Sequence, residues 1–373
     1  MRESSLPSEL LSFPTVFALK DTYQIFIPFS REAIVWIRIG NEFYYDDANG
    51  MLRSGTNIHR VEVPMAELDA AEAYTLCWRC MIERKPYFPT SEEEKELTFP
   101  FRPVPKTGEI HIYHVSDAHN LEDPVIRAGS FFGDRLDLLV LNGDLPNHSG
   151  CVENFNTIYR LSSALTGGEC PVVFARGNHD IRGICAETFG NYTPTHNGKT
   201  YYTFRAGSLW GIVLDCGEDK PDSNPEYGHT VCFHAFREAE TRWLRSVIGN
   251  AQEEYLAEGV TRRLLISHVP FSYIQKPPFD IEQDLYREWC RLLREEIKPD
   301  LALHGHLHIT EVWFPHGERD HLGQPCPAVI GSKPYKKKDA PSHFTGAAIT
   351  LKGTTTRVVF TDDEGSYSDP IEF

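Results

Sequence analysis

PVVFARGNHD, residues 171–180, is an apolar run that stops abruptly in a glycine, an amide, an imidazole and a carboxylate. Its first half, Val172–Ala175, reads as a buried strand; its second half sets groups able to bind a cation or a proton at the strand's carboxyl end. Four other stretches repeat the pattern. Ile110–Val115 runs into Asp117-Ala118-His119, Leu136–Leu141 into Gly143-Asp144, Leu264–Ser267 into His268, and Leu301–His304 into Gly305-His306-Leu307-His308. Ligands of open α/β sheets bind beyond the carboxyl ends of the strands, so five separate stretches converge on one crevice. Any one motif has an ordinary structural explanation. Their shared placement, in this order, is the signal.

Outward from these strands the rhythm stays α/β. A further strand is expected at Trp210–Leu214, and helices at Val152–Leu165, Phe236–Ile248 and Glu282–Ile297. In the second helix Phe236, Ala239, Trp243, Leu244 and Val247 share one face, which reads as core packing. Before residue 106 the pattern is different. Short strands at Tyr23–Pro28, Ala33–Ile39, Glu42–Asp46, Ile58–Val63, Tyr74–Ile82 and Leu97–Phe101 suggest a small all-β unit, with a hairpin turn at Gly40-Asn41. Arg102-Pro103-Val104-Pro105-Lys106 reads as a stiff link, so the expected domains are 1–105 and 106–373.

The composition bounds the function. With 373 residues, 41% hydrophobic and 24% charged, both domains have enough apolar material to fold. A net charge of -16 argues against a nucleic-acid backbone as partner, because that binding draws on Lys and Arg. An anionic substrate then needs a local positive site, which bound cations supply. Arg2 is followed by Glu3 and Glu9, and Leu10–Leu19 is broken by Pro14, so no signal peptide is read. No apolar run is long enough to span a membrane, and none is expected as a partner. Nine scattered cysteines suit reduced thiols and a cytoplasmic setting, and Cys77 and Cys80 read as ordinary strand thiols.

Taken together, D-x-H, G-D, G-N-H-D, a lone histidine and G-H-x-H resemble the calcineurin-like metallophosphoesterase superfamily over roughly Glu109 to His308. The resemblance implies a metal-dependent hydrolase that cleaves phosphate esters by attack of a hydroxide bridging two metal ions. It implies a four-layer β-sandwich with flanking helices, here preceded by the small all-β sandwich. Position by position, it implies that Asp117, His119 and His308 hold one metal, that Asn178, His268 and His306 hold the other, and that Asp144 bridges them. His179 then faces the substrate as proton donor, with Asp180 fixing its orientation. Imidazole, carboxylate and amide donors without thiolate suit Mn, Fe or Zn. The substrate is expected to be a phosphorylated small molecule or macromolecule, with monoesters and diesters both open.

The front domain also resembles other families. Leu68 followed by Tyr74 is similar to the tyrosine corner of immunoglobulin-like and fibronectin type III sandwiches, and the two-domain layout resembles purple acid phosphatases. The chain departs from the purple enzymes in having Asn147 where they carry an iron-binding tyrosine, and in having His119. No tyrosinate-to-iron colour is therefore expected. Arg182 is a candidate for a phosphate oxygen or for a surface ion pair. Two insertions, 217–234 and 270–284, are candidate substrate walls, with Tyr227, His229 and Tyr273 as contact residues. Lys336-Lys337-Lys338 reads as a solvated loop. A catalytically silent scaffold would show lost ligands or a lost His179, and this chain retains all of them; an N-terminal binding module would show an exposed aromatic pattern, which the sequence lacks.

Overall fold

A strand buried along its whole length has to lie in a sheet covered on both faces. Val172–Ala175 and Leu138–Asn142 are such strands in the computed structural model, which describes residues 6–335 and 341–373. Lys336–Lys338 and the Arg2-Glu3 start lie outside the described residues. With Glu109–Val115 the two buried strands form the parallel centre of a ten-stranded sheet. On one side this sheet continues antiparallel through His343–Lys352, Thr355–Asp362 and Ile371–Glu372, with Lys333–Tyr335 on the first of these. On the other side Thr15–Ala18 joins in parallel, Phe17 opposite Val172, and leads to Thr22–Pro28 and Ile58–Pro64.

A second sheet contains Tyr202–Ala206, Leu209–Leu214, Arg262–Ser267, Leu301–His304, Ala328–Ile330 and Glu311–Trp313 in that order. Its inner face shares one apolar cluster with the first: Val140 and Phe174 from one sheet, Ile266 and Leu303 from the other. Helices Glu122–Gly129 and Asn156–Thr166 cover the first sheet, while Phe233–Gly249 and Gln283–Leu292 cover the second, where Leu244 and Trp289 pack with Trp210 and Leu265. The layers are therefore helix, sheet, sheet, helix. This stacking brings the carboxyl ends of five strands to one edge.

The N-terminal all-β part is built in an unanticipated way. Ala33–Ile39, Glu42–Tyr45, Ala73–Glu83 and Lys95–Pro100 make a separate sheet, and Gly40-Asn41 forms the hairpin turn, with Gly40 at φ 57°. The strands it packs on are the outer members of the ten-stranded sheet: Val35, Ile37 and Leu76 share a core with Ile25 and Val61. Sheet and core both run across the junction near residue 106. The Tyr74 hydroxyl donates to the carbonyl of Gly168 (2.8 Å), and the Phe13 amide donates to Ser163 Oγ (3.0 Å). These two bonds tie the front strands to the end of the Asn156–Thr166 helix.

Several boundaries differ from the sequence reading, for local reasons. The strand expected from Leu136 starts at Leu138, after a 3-10 turn at Gly133–Arg135. The helix expected from Val152 begins as a 3-10 turn and is α-helical over Asn156–Thr166, ending where Gly167 turns to φ 62°. The one expected over Glu282–Ile297 is α-helical to Leu292 and closes in a π turn, Leu293–Ile297. In Phe233–Gly249 the buried side includes Arg237 and Glu240 beside Leu244 and Val247. Arg237 is tolerated there because it donates to the carbonyls of Cys216 and Glu218. All nine cysteines are free thiols, Cys77 and Cys80 both buried. Among the described residues no helix is long and apolar enough to cross a membrane.

Candidate metal centre

Strands that end at a crevice must turn sharply to aim their last side chains back into it, and the backbone here shows the cost. Asp117, His119, Asp144, His306 and His308 have φ of 53°, 45°, 54°, 68° and 53°, a region that non-glycine residues rarely occupy. Glycines make the remaining close approaches. A Cβ on Gly177 would sit 2.3 Å from Asp144 Oδ1, and one on Gly143 would sit 2.5 Å from the Gly177 nitrogen.

The turns assemble three overlapping groups whose ligand atoms lie within 4.8 Å of one another: Asp117, His119 and His308; His119, Asp144 and His179; Asp144, His268 and His306. His119 Nε2 is 3.2 Å from His308 Nε2, which is 3.4 Å from Asp117 Oδ1. Asp144 Oδ2 is 3.2 Å from His268 Nε2 and 4.0 Å from His119 Nε2, so this one oxygen faces both sides of the site. His306 Nδ1 lies 3.1 Å from the amide of Asn178. All seven residues singled out as ligands thus meet at one place.

The surrounding contacts fit these groups to hold cations. His268 Nδ1 lies 2.7 Å from the Asn142 carbonyl, which can only accept; Nδ1 therefore carries a proton, and Nε2 is the atom turned to the site, where a cation would displace its own proton. That Nε2 makes no well-directed hydrogen bond although Asp144 is near. Asp117 is steadied by Ser116 Oγ (2.6 Å) and by the His306 amide (2.9 Å). The Asn178 amide can turn its oxygen to His306 or to Arg182 Nη2, and a cation beside His306 would select the first. Burial pushes the His268 imidazole down, but the carboxylates of Asp144 and Asp117 outweigh it and hold it at about 10. Burial takes His119 and His306 down to about 4, leaving both neutral and ready to ligate. A cation at this site would replace the proton on His268.

Around the ligands, one expectation needs correction. Asp180 does not orient His179. Its Oδ2 accepts from the amides of Gly177 (2.7 Å) and Asp144 (3.1 Å), so it shapes the turn that presents Asp144, and burial, reinforced by the Asp144 carboxylate, lifts it to about 8. The partner of His179 Nδ1 is the carbonyl of Asn147, at 3.0 Å. Sequence gave no hint of this, because a main-chain oxygen carries no residue signature. Arg182, a candidate for a phosphate oxygen or an ion pair, lies beside the site with Nη1 3.2 Å from His179 Nε2, and its fork closes on Glu218, Nε to Oε1 and Nη2 to Oε2 both 3.0 Å. It is an ion pair, half-buried rather than superficial.

Of the expected contact residues, Tyr227 is buried and its hydroxyl bonds Glu218 (3.0 Å) and Asp219 (3.2 Å), which makes it an anchor of the 217–234 segment. Tyr273 stacks on His321 and packs against Trp313, yet it also lines the narrow cleft that Glu218 and Asp219 border. His229 is exposed on left-handed backbone, φ 62°. Glu218 and Asp219 were not singled out. Their signal was a sixth strand end: Leu209–Leu214 leads through Asp215-Cys216-Gly217 directly to them.

Residues 110–310 match the family model described as calcineurin-like phosphoesterase. Among solved structures, a purple acid phosphatase isolated from yellow lupin (Lupinus luteus) seeds is similar at 15% identity, with 96% of this chain and 73% of that chain covered and a TM-score of 0.64. PhoD is similar at 12% identity, with 100% and 93% covered and a TM-score of 0.55. These likenesses concern the fold. No curated protein matches the chain.

Proposed function

The chain belongs to the calcineurin-like phosphoesterase family and is a metal-dependent phosphoric ester hydrolase, and from that premise we propose that it works with two cations held by the seven converging residues. In this reading Asp117, His119 and His308 hold one, Asn178, His268 and His306 hold the other, and Asp144, whose Oδ2 faces both groups, lies between. The observation that carries it is the convergence of these donors on strained, left-handed backbone. When bound, two such cations would supply Lewis acidity toward the phosphoryl oxygens and would lower the pKa of water enough to make a hydroxide nucleophile available near neutral pH.

The chain's own groups do the rest. With Nδ1–H fixed on the Asn147 carbonyl, His179 turns Nε2 to the edge of the site, 3.2 Å from Arg182 Nη1. A proton carried there passes to the leaving oxygen as the ester bond breaks. Asp180, through the amides of Gly177 and Asp144, keeps the bridging carboxylate in place. Nine free thiols support a reducing, cytoplasmic setting.

The test is hydrolysis of p-nitrophenyl phosphate and bis-p-nitrophenyl phosphate by metal-stripped protein with Mn, Zn or Fe restored. Activity that returns with metal, at two ions per chain, supports the reading. Two bound ions with neither ester cleaved would count against hydrolysis of simple esters and favour a silent scaffold.

A further inference from the structure

Glu218 and Asp219 leave the end of the Leu209–Leu214 strand as nearly buried carboxylates, 2% and 7% exposed. The segment is fixed from three sides: Tyr227 bonds both carboxylates, Arg237 bonds the Glu218 carbonyl, and Lys220 reaches Asp219 (3.4 Å) and Glu226 (2.8 Å). Arg182 is drawn into this group. Besides its fork on Glu218, its Nη2 is 3.5 Å from Asp219 Oδ1 and its Nη1 is 3.7 Å from Glu226 Oε1. Three carboxylates thus face two cations.

The group sits at the reacting centre. Arg182 Nη1 touches His179 Nε2 at 3.2 Å, and Asp219 Oδ2 is 3.9 Å from Nε2 of His306. Behind them the same two carboxylates border a void of about 20 Å³, walled by Val269, Phe271, Tyr273 and Phe279 and too small for a substrate group.

We propose that Glu218 and Asp219 are specificity-determining residues that make this a phosphodiester site. The argument rests on the metal-dependent hydrolase reading and adds the substrate class. At neutral pH a monoester carries close to two negative charges and a diester one. An arginine fork already closed on a carboxylate has little to offer a third phosphoryl oxygen, and the surplus negative charge of three carboxylates on two cations repels it. A diester replaces that charged oxygen with a neutral ester oxygen, which the surplus negative charge does not repel. The arrangement therefore discriminates by repulsion of the wrong substrate.

The experiment compares kcat/KM for bis-p-nitrophenyl phosphate and p-nitrophenyl phosphate in the metal-loaded full chain and in Glu218→Gln, Asp219→Asn and Arg182→Gln, with metal content measured in each. Calorimetric binding of inorganic phosphate and of dimethyl phosphate gives a readout independent of turnover. The native chain should favour the diester. Each carboxylate substitution should move the ratio toward the monoester by roughly tenfold and tighten phosphate over dimethyl phosphate. Arg182→Gln should move both the opposite way. If Asp219→Asn loses metal, Glu218→Gln alone decides. A native preference for the monoester, or ratios unmoved in metal-replete variants, overturns the proposal. Should no ester be cleaved with any metal, the hydrolase reading falls, and phosphate affinity unchanged in Glu218→Gln would remove the selective role as well.

Discussion

His119 and His308, which are 189 residues apart in the chain, face each other Nε2 to Nε2 at 3.2 Å. Two neutral imidazole nitrogens at that distance repel through their lone pairs unless a proton or a cation lies between or beside them. Asp117, at 3.4 Å from His308, is the anion that such a cation would neutralise. His308→Ala should therefore reduce bound metal from two ions toward one, whereas Asp144→Ala, which removes the oxygen facing both groups, should reduce both. Metal content by atomic emission, after dialysis against a weak chelator, separates the two outcomes; equal losses in both variants would break the assignment.

His179 should behave differently, because its ring nitrogens meet the Asn147 carbonyl and Arg182, and its bond to Asp144 Oδ1 (2.7 Å) comes from the main-chain amide, which alanine keeps. His179→Ala is expected to keep its metal and to lose turnover on poor alkyl leaving groups by roughly a hundredfold or more. Nitrophenolate departs with little help, so its esters should suffer less. If metal falls in step with activity, His179 is a ligand and not a proton donor.

Glu240 gives a prediction about stability away from the site. It is fully buried, its Oε1 accepting from the Asp215 amide at 2.8 Å, and burial with the nearby Asp215 charge holds it well above the usual carboxylate range. Unfolded, it ionises near 4.5. Above that pH the folded protein must keep a proton the unfolded chain would release, so stability falls as pH rises from there toward the folded value. Glu240→Gln keeps the acceptor and removes the titration. Urea unfolding should find variant and native chain alike below pH 4.5, with the variant gaining as pH rises, at about 1.4 kcal/mol per unit up to the folded pKa. A difference independent of pH would show that packing, not ionisation, sets it.

Deletion of residues 1–105 should leave an insoluble or dye-binding remainder rather than a free catalytic domain. It strips Thr15–Ala18 from the edge of Val172–Ala175 and uncovers the core shared by Phe17 and Phe174. Soluble, active protein after that deletion would mean the front strands are dispensable.

The ligands were legible because each follows an apolar strand and differs chemically from its neighbours; Asp117, Asp144 and His268 could be placed without knowing how the sheets stack. What escaped was set by distance or by side-chain direction. Arg182 meets Glu218 36 residues away, and no local pattern announces that pairing. Asp180 and His179 are adjacent, yet within a 3-10 turn one points to backbone amides and the other to a carbonyl. Thr15–Ala18 is four residues long and follows Pro14, so its strand character comes from Val172–Ala175 and not from its own sequence. The strands after residue 327 went unread for a related reason: their partners include Glu109–Val115, far upstream.

The joining of Thr15–Ala18 to Val172–Ala175 also sets a timetable for the ribosome. Phe13 emerges early, while Ser163, to which its amide is bonded, lies 150 residues later. At a synthesis rate of about 5–20 residues per second, the first strands wait on the order of ten seconds or more for the surface that will cover them. During that interval the nascent front half offers an open sheet edge and a half-built core, an invitation to chaperones or to other nascent copies. Slower elongation over residues 106–172 should therefore lower the yield of native protein, and faster elongation raise it.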